Sequence, residues 1–283
     1  QESGNVGAPN LRSEQFQQYT LKMGKFYRLH VTARPQGEKP FRHSIGFAVL
    51  PEAPNRSLPP ETVPFTSRNW DTRIKEYYYL TDRIGVRLAG IWVGWNSKPP
   101  FKQNPVGIEH CEKLGMNWGT GTYGAAVERG RPEWSDPEAL RSAMKSFLEE
   151  YGRRNLYYIV LGNEPHGGPE QVAKNVAAYK ILYETIKAYD PSILVISTAV
   201  EPNENYFKCG YYKYLDVYNF HTYASYHGIR NAIASYRGLM KKYDAEKPLF
   251  STELGLNCQG MTRHAVAIEL IKKFAVFFAA GGK

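Results

Sequence analysis

The chain of 283 residues is short of the signals that mark membrane, nucleic-acid or cofactor proteins. No apolar run approaches the roughly 20 residues that a spanning helix needs, so no membrane span is expected. Only three cysteines occur, Cys111, Cys209 and Cys258, and none stands in a CxxC or a metal-ligand spacing. Three cannot all pair within one chain. Cys111 falls in a helical stretch and reads as a buried small apolar residue, while a disulfide between Cys209 and Cys258 stays open. HExxH, Walker and clustered metal-ligand patterns are absent, so neither a metal nor another cofactor is expected. No block of five or more like charges exists, which removes the usual footprint of a nucleic-acid partner. Met is not the first residue and no signal peptide is legible in residues 1–10, which suits a processed secreted chain or a trimmed one equally. A secreted or periplasmic location is the working expectation.

What is present is ordinary for a globular protein: 42% hydrophobic and 22% charged residues. Lys and Arg outnumber Asp and Glu by 36 to 27, a formal charge of +9. A basic excess concentrates anionic partners, such as acidic polysaccharide or nucleic acid. Because the charges are scattered, a merely basic surface is the plainer reading.

Residues 1–43 differ in character from the rest. Within them 25–33 alternates and is rich in aromatic and β-branched side chains, the mark of a strand, so 1–43 reads as a β-rich segment at the edge of an accessory domain. Residues 51–64 are Pro-rich and read as loop. From residue 44 to 283, short apolar runs alternate with amphipathic ones. The apolar runs cover 44–50, 86–93, 116–121, 156–161, 193–200, 217–221 and 248–254, and such runs suit parallel strands covered on both faces. Leu140, Met144, Phe147, Leu148 and Tyr151 recur at helical spacing, as do Val172, Val176, Tyr179, Leu182, Tyr183 and Ile186. Asp136-Pro137 reads as an N-cap followed by Pro at the first helical position. Gly85, Gly115 and Gly152 read as C-terminal caps.

Seven strands alternating with helices argue for one α/β parallel sheet, either open and doubly wound or closed as a barrel. A seven-stranded barrel would leave two raw edges, so an eighth strand is expected beyond Lys283.

The chemistry-bearing residues decide for the barrel. Leu161-Gly162-Asn163-Glu164-Pro165 closes the fourth apolar run, and Phe250-Ser251-Thr252-Glu253-Leu254-Gly255 closes the seventh. Barrel enzymes keep their sites at the C-terminal strand ends. Glycosidic hydrolysis needs one carboxylic acid to protonate the leaving oxygen and a second carboxylate opposite it. Eighty-nine positions separate Glu164 from Glu253, an interval that three βα units of about 30 residues fill, which puts both at one rim. Arg87, a charge inside an apolar run, needs a carboxylate partner; a salt bridge at the barrel floor is its plainer reading. Trp92, Trp95, Trp118, Tyr123, Trp134 and Tyr226 are candidate platforms for the apolar faces of sugar rings, Trp95 foremost because it closes its strand. His166 follows Asn163-Glu164-Pro165 within reach of a substrate hydroxyl, and Glu201 is a spare carboxylate at the same rim. Gly119-Thr120-Gly121-Thr122-Tyr123-Gly124 fits the dinucleotide fingerprint, yet no long helix starts inside it, so nucleotide binding has little support.

This pattern resembles the clan A glycoside hydrolases over roughly residues 44 to 281. The resemblance implies a (β/α)8 barrel, with Glu164 as acid/base and Glu253 as nucleophile of a retaining mechanism. It matches Asn163 to a substrate-binding Asn and Arg87 to the strand-two Arg that holds the nucleophile ionised. In His221-Thr222-Tyr223 it matches Tyr223 to the residue that contacts the nucleophile. The resemblance runs closest to the clan's β-glycosidases, with the family of β-xylosidases and α-L-iduronidases as one candidate. The expected partner is an oligo- or polysaccharide, with room for an anionic one. Alternatives are a barrel that binds carbohydrate without catalysis, an inverting hydrolase and, further off, a dinucleotide oxidoreductase.

Overall fold

The computed structural model describes residues 20–34, 36–37, 39–49, 66–69, 75–83, 85–91, 106–121 and 136–283. The chain forms two compact units, Gln1–Ala53 and Pro54–Lys283. In the first, strands β1 (Phe26–Ala33) and β2 (Phe41–Ala48) pair antiparallel in a hairpin, Phe26 opposite Ala48 and Ala33 opposite Phe41. Residues 44–50, expected as the first strand of the parallel sheet, therefore lie mostly in this hairpin. A short run with apolar, β-branched and aromatic residues such as Ile45, Phe47 and Val49 reads alike in either setting, and only its pairing partner tells them apart.

The second unit begins, among the described residues, with β3 (Thr66–Asn69) and α1 (Lys75–Arg83), followed by β4 (Leu88–Ile91), α2 (Val106–Leu114) and β5 (Asn117–Gly121). It continues with α3 (Pro137–Tyr151), β6 (Leu156–Val160), α4 (Pro169–Tyr189), β7 (Leu194–Ile196) and the short α5 (Glu204–Lys208). A 3-10 turn at Tyr211–Tyr214 leads to β8 (Tyr218–Thr222), α6 (Tyr226–Lys242), β9 (Leu249–Leu254) and α7 (Arg263–Ala279). Strands β3 to β7 form one parallel sheet in chain order, and β8 and β9 form a parallel pair. An isolated parallel bridge between Ile196 and Val217 links the two sets. The unit is thus mixed α/β with parallel strands. Its opening strand is the polar Thr66–Asn69 rather than 44–50; four polar residues carry no apolar signal for a sequence reading to find.

Local signals set the helices. Asp136 caps α3 by accepting from the Glu138 amide at 3.0 Å, with Pro137 at the first helical position. Leu140, Met144, Phe147, Leu148 and Tyr151 form the buried stripe of α3. Each such fully buried apolar side chain stabilises the fold by about 1.5–3 kcal/mol. Gly115 turns the chain with φ +62° after α2. Gly152 serves differently: its φ is −60°, and a Cβ there would stand 2.4 Å from the Tyr189 ring and 2.6 Å from the Leu148 carbonyl.

Both faces of the sheet are apolar. Ile159 and Leu161 belong to the large cluster under the helices, while Tyr158 and Val160 join Ile196 and Val217 in a separate inner cluster. Leu88 of β4 and Phe250 of β9 pack on that same cluster. Gly119 makes room inside, since a Cβ there would meet the Tyr158 ring at 2.2 Å. That packing role accounts for the first glycine of the dinucleotide-like motif, whose last three residues lie outside the described ones.

Cys111 is buried, and burial, then the neighbouring Glu112, pushes its thiol up to about 12. Cys209 and Cys258 are free and exposed, so the pairing left open by the sequence is not made. Among the described residues no helix is long and apolar enough to cross a membrane.

Candidate functional site

The C-terminal ends of β6, β8 and β9 bring four expected residues together. Glu164 follows β6 with φ +49°, a left-handed backbone that non-glycine residues seldom adopt. Such a conformation costs of order 1 kcal/mol and persists where the surrounding structure demands it, commonly at functional sites. His221, near the end of β8, places Nδ1 at 2.8 Å from Glu164 Oε1 and 3.7 Å from Glu253 Oε2. Its Nε2 lies 2.9 Å from Thr252 Oγ1. The Tyr223 hydroxyl donates to Glu253 Oε2. Gly255 lets the Tyr223 ring lie over it, because a Cβ there would stand 2.3 Å from Cε1.

A β-bulge aims these groups. Asn219 pairs with Phe250, but the next pair is His221 with Glu253, so β9 spends one residue more than β8 over this stretch. Bulges bend a strand and re-aim its side chains, and they are common beside active sites. Here the extra residue allows both Thr252 and its neighbour Glu253 to reach His221, which strict alternation would prevent. The buried Lys273 of α7 fixes the loop ends from behind by donating to the carbonyls of Thr222 and Gly255. Burial holds its ammonium below the ordinary lysine value.

Access is graded: the His221 side chain is 6% exposed, Glu253 22% and Glu164 46%. One oxygen of each carboxylate and His221 Nδ1 all lie within 4.8 Å of one another. These three groups could also hold a divalent cation, which would compete with the proton shared by His221 and Glu164. Beside them opens a cleft of 560 Å³ lined by Glu164, His166, Glu201, Asn203, Glu204 and His221 among others. Glu204 is engaged by Lys242 at 2.5 Å and the Tyr243 hydroxyl at 2.8 Å. Glu201 has no hydrogen-bond or ion-pair partner among the described residues. Asn163 bridges to Ala199 of the neighbouring strand, which holds it beside Glu164.

Arg87 is not brought to this site. It precedes β4, and its guanidinium donates to Asp82 Oδ1 at 2.6 Å and to the Gly115 carbonyl at 2.6 Å. Both partners sit at the N-terminal ends of the strands, opposite the end that carries Glu253. The role of holding the nucleophile ionised, implied by the resemblance, therefore does not fall to Arg87; it is a buried pair at the sheet's floor. Trp118 is likewise corrected from platform to core. It is fully buried, stacks edge-on against Phe147 and Tyr151, and donates Nε1 to the Arg154 carbonyl. Tyr226 stacks on His227 at 4.0 Å with Lys272 over its ring. Trp92, Trp95, Tyr123 and Trp134 lie outside the described residues.

Two residues of the site escaped the sequence reading, Asn219 and Thr252. A polar Asn inside the apolar run 217–221 was the available signal, since a buried amide must find partners. Its partner depended on the bulge, which no local pattern announces.

With the strands and this cluster in place, the second unit has the fold of glycoside hydrolases. No protein-family model and no curated protein matches the sequence, so the likeness rests on structure. A β-glucuronidase of Bacteroides uniformis matches with a TM-score of 0.56 at 11% identity over 90% of this chain. This chain covers 34% of that enzyme's length, about a third. A putative α-L-fucosidase of Bacteroides thetaiotaomicron matches with a TM-score of 0.54 at 11% identity, over 76% of this chain and 78% of that one. A family 5 glycoside hydrolase of Bacteroides vulgatus matches with a TM-score of 0.53 at 12% identity, over 77% and 56% respectively.

Proposed function

We propose that the chain is a retaining glycoside hydrolase of a clan A type (β/α)8 barrel, in which Glu253 attacks the anomeric carbon and Glu164 is the acid/base. The observation that carries this reading is the approach of the two carboxylates to within 4.8 Å across the ends of two strands. Retaining enzymes hold their carboxyl groups about 5–5.5 Å apart, whereas inverting ones leave about 6.5–9.5 Å for a water. That residues of both β4 and β9 pack on one cluster supports the barrel reading.

In the first step Glu164 gives its proton to the departing oxygen while Glu253 forms the glycosyl-enzyme bond. In the second Glu164 takes a proton from the water that breaks that bond. Tyr223, donating to Glu253 Oε2, orients the attacking carboxylate. His166 and Glu201, which line the cleft, are assigned to substrate hydroxyls, and Asn163 is given the same role from the resemblance alone. The described wall of the cleft carries Glu164, Glu201 and Glu204 and neither Lys nor Arg. That favours a neutral or amino sugar on this side over the anionic substrate suggested by the net charge. A secreted or periplasmic location belongs to the same proposal and is read by cell fractionation.

The test is hydrolysis of neutral and acidic aryl glycosides and polysaccharides by the wild type and Glu253→Ala. Activity lost in Glu253→Ala and partly restored by azide establishes the nucleophile. Activity that survives the substitution sinks the assignment, and a wild type inert on every substrate moves the reading to a carbohydrate-binding barrel.

A further inference from the structure

The His221 ring is held at both nitrogens, and the groups behind it bear on which nitrogen carries hydrogen. Asn219 is fully buried on β8, and its amide orientation follows from two neighbours whose roles cannot reverse. The Thr252 backbone N–H needs an acceptor and meets Oδ1 at 3.0 Å. The Ser197 carbonyl needs a donor and meets Nδ2 at 3.3 Å. With that orientation set, the second Nδ2 hydrogen points to Thr252 Oγ1 at 3.0 Å. The Thr252 hydroxyl has one hydrogen to give. Asn219 Oδ1, 3.1 Å away, already accepts from the Thr252 amide and has one further lone pair, but His221 Nε2 at 2.9 Å is the nearer acceptor for the hydroxyl hydrogen. A ring that accepts at Nε2 carries its hydrogen on Nδ1, which faces Glu164 Oε1 at 2.8 Å. Every donor in the chain from Ser197 to Glu164 then meets an acceptor. With Glu164 ionised, the reverse tautomer would set the Nδ1 lone pair against carboxylate oxygens at 2.8 and 3.7 Å.

We propose that Asn219 and Thr252 are positioning residues that hold His221 with its hydrogen on Nδ1 alone, and so reserve Oε1 of Glu164 as an acceptor. The hydrogen that Glu164 delivers then sits on Oε2, and the acid/base always presents the same oxygen to the glycosidic bond. This last consequence rests on the proposed role of Glu164; the tautomer does not.

The experiment is 15N NMR of histidine-labelled protein, with the His221 signal assigned by its loss in His221→Ala. Wild-type protein is expected to show a protonated Nδ1 and an unprotonated Nε2. Thr252→Val removes the hydroxyl and is expected to mix or reverse the tautomers, while Thr252→Ser keeps the wild-type pattern. Asn219→Asp supplies no amide hydrogen and offers the Thr252 hydroxyl an acceptor, so His221 is expected to move its hydrogen to Nε2. Hydrogen on Nε2 in the wild type overturns the proposal, as does an unchanged tautomer in both Thr252→Val and Asn219→Asp. On a hydrolysed aryl glycoside, Thr252→Val is expected to lower kcat about tenfold, leaving KM within about twofold, with Thr252→Ser restoring it. A changed tautomer with unchanged kcat overturns the link to proton delivery. An enzyme inert on every glycoside defeats the hydrolase reading, while the NMR arm still decides the tautomer.

Discussion

The two ends of the parallel strands carry the same kinds of charged residue and use them in opposite ways. At the N-terminal ends Arg87 is closed on Asp82 and on backbone carbonyls, and Arg154 is closed on Glu112 at 2.7 and 2.9 Å. At the C-terminal ends Glu164 meets His221 and Glu253 meets the Tyr223 hydroxyl, while Glu201 carries no Arg or Lys partner among the described residues. A carboxylate whose partner is a fixed guanidinium has spent its binding capacity on the fold. Glu164, held by His221 through Oε1 and lining an open cleft, is half-exposed to a ligand. The teaching is that charge type does not distinguish floor from site; what separates them is whether the partner saturates the group.

The hairpin makes the point from packing. Phe26 and Phe41 are 66% and 57% exposed, and the Tyr27–Phe47 stack at 5.6 Å is its main ring contact. A lone two-stranded hairpin is marginal in water, whereas the second unit buries residues on both faces of its sheet.

The largest expected effect falls on the open end: Glu253→Ala lowers kcat by roughly 10,000-fold, read with aryl glycosides, while leaving the melting temperature close to wild type. Arg87→Ala should do the reverse. It takes the guanidinium away from the buried Asp82 and costs about 3–5 kcal/mol of stability in denaturant titrations, yet leaves kcat unchanged in the folded fraction. A large kcat loss in folded Arg87→Ala would erase the distinction between the two ends. Tyr223→Phe, which removes the hydroxyl on Glu253, is expected to lower kcat by about 10- to 100-fold with little change in stability.

The smallest effect belongs to Glu112. The hydrogen bond from Arg154 holds its carboxyl below the ordinary glutamate value. The pair therefore adds stability above the ordinary glutamate pKa and loses it as pH falls through the lowered folded value. Both side chains are about a third exposed, so the gain at neutral pH is about 0.2–1 kcal/mol. Glu112→Gln should remove that much at pH 7 and nothing at low pH, read from urea midpoints at both.

Much of this was legible beforehand for physical reasons. Near-continuous apolar runs marked β4 to β9 because strands covered on both faces must be apolar throughout. The same rule made Asn163-Glu164 and Glu253 conspicuous, since a carboxylate closing such a run needs a purpose. The polar β3 had no such signal, and 44–50 carried one that suited another partner. Arg87 was conspicuous for the same reason as the glutamates, but sequence position could not tell one end of its strand from the other.

Sequence alone determined the alternation of strands and helices, the α3 cap at Asp136, and the glutamates that close the fourth and seventh runs, because these depend on residue type and local spacing. Tertiary structure alone decided that Arg87 serves the floor, that 41–48 pairs with 26–33, and that a one-residue bulge brings Thr252 and Glu253 together onto His221. Those outcomes depend on which strands lie side by side and in what register, and register is a property of two segments that neither contains by itself.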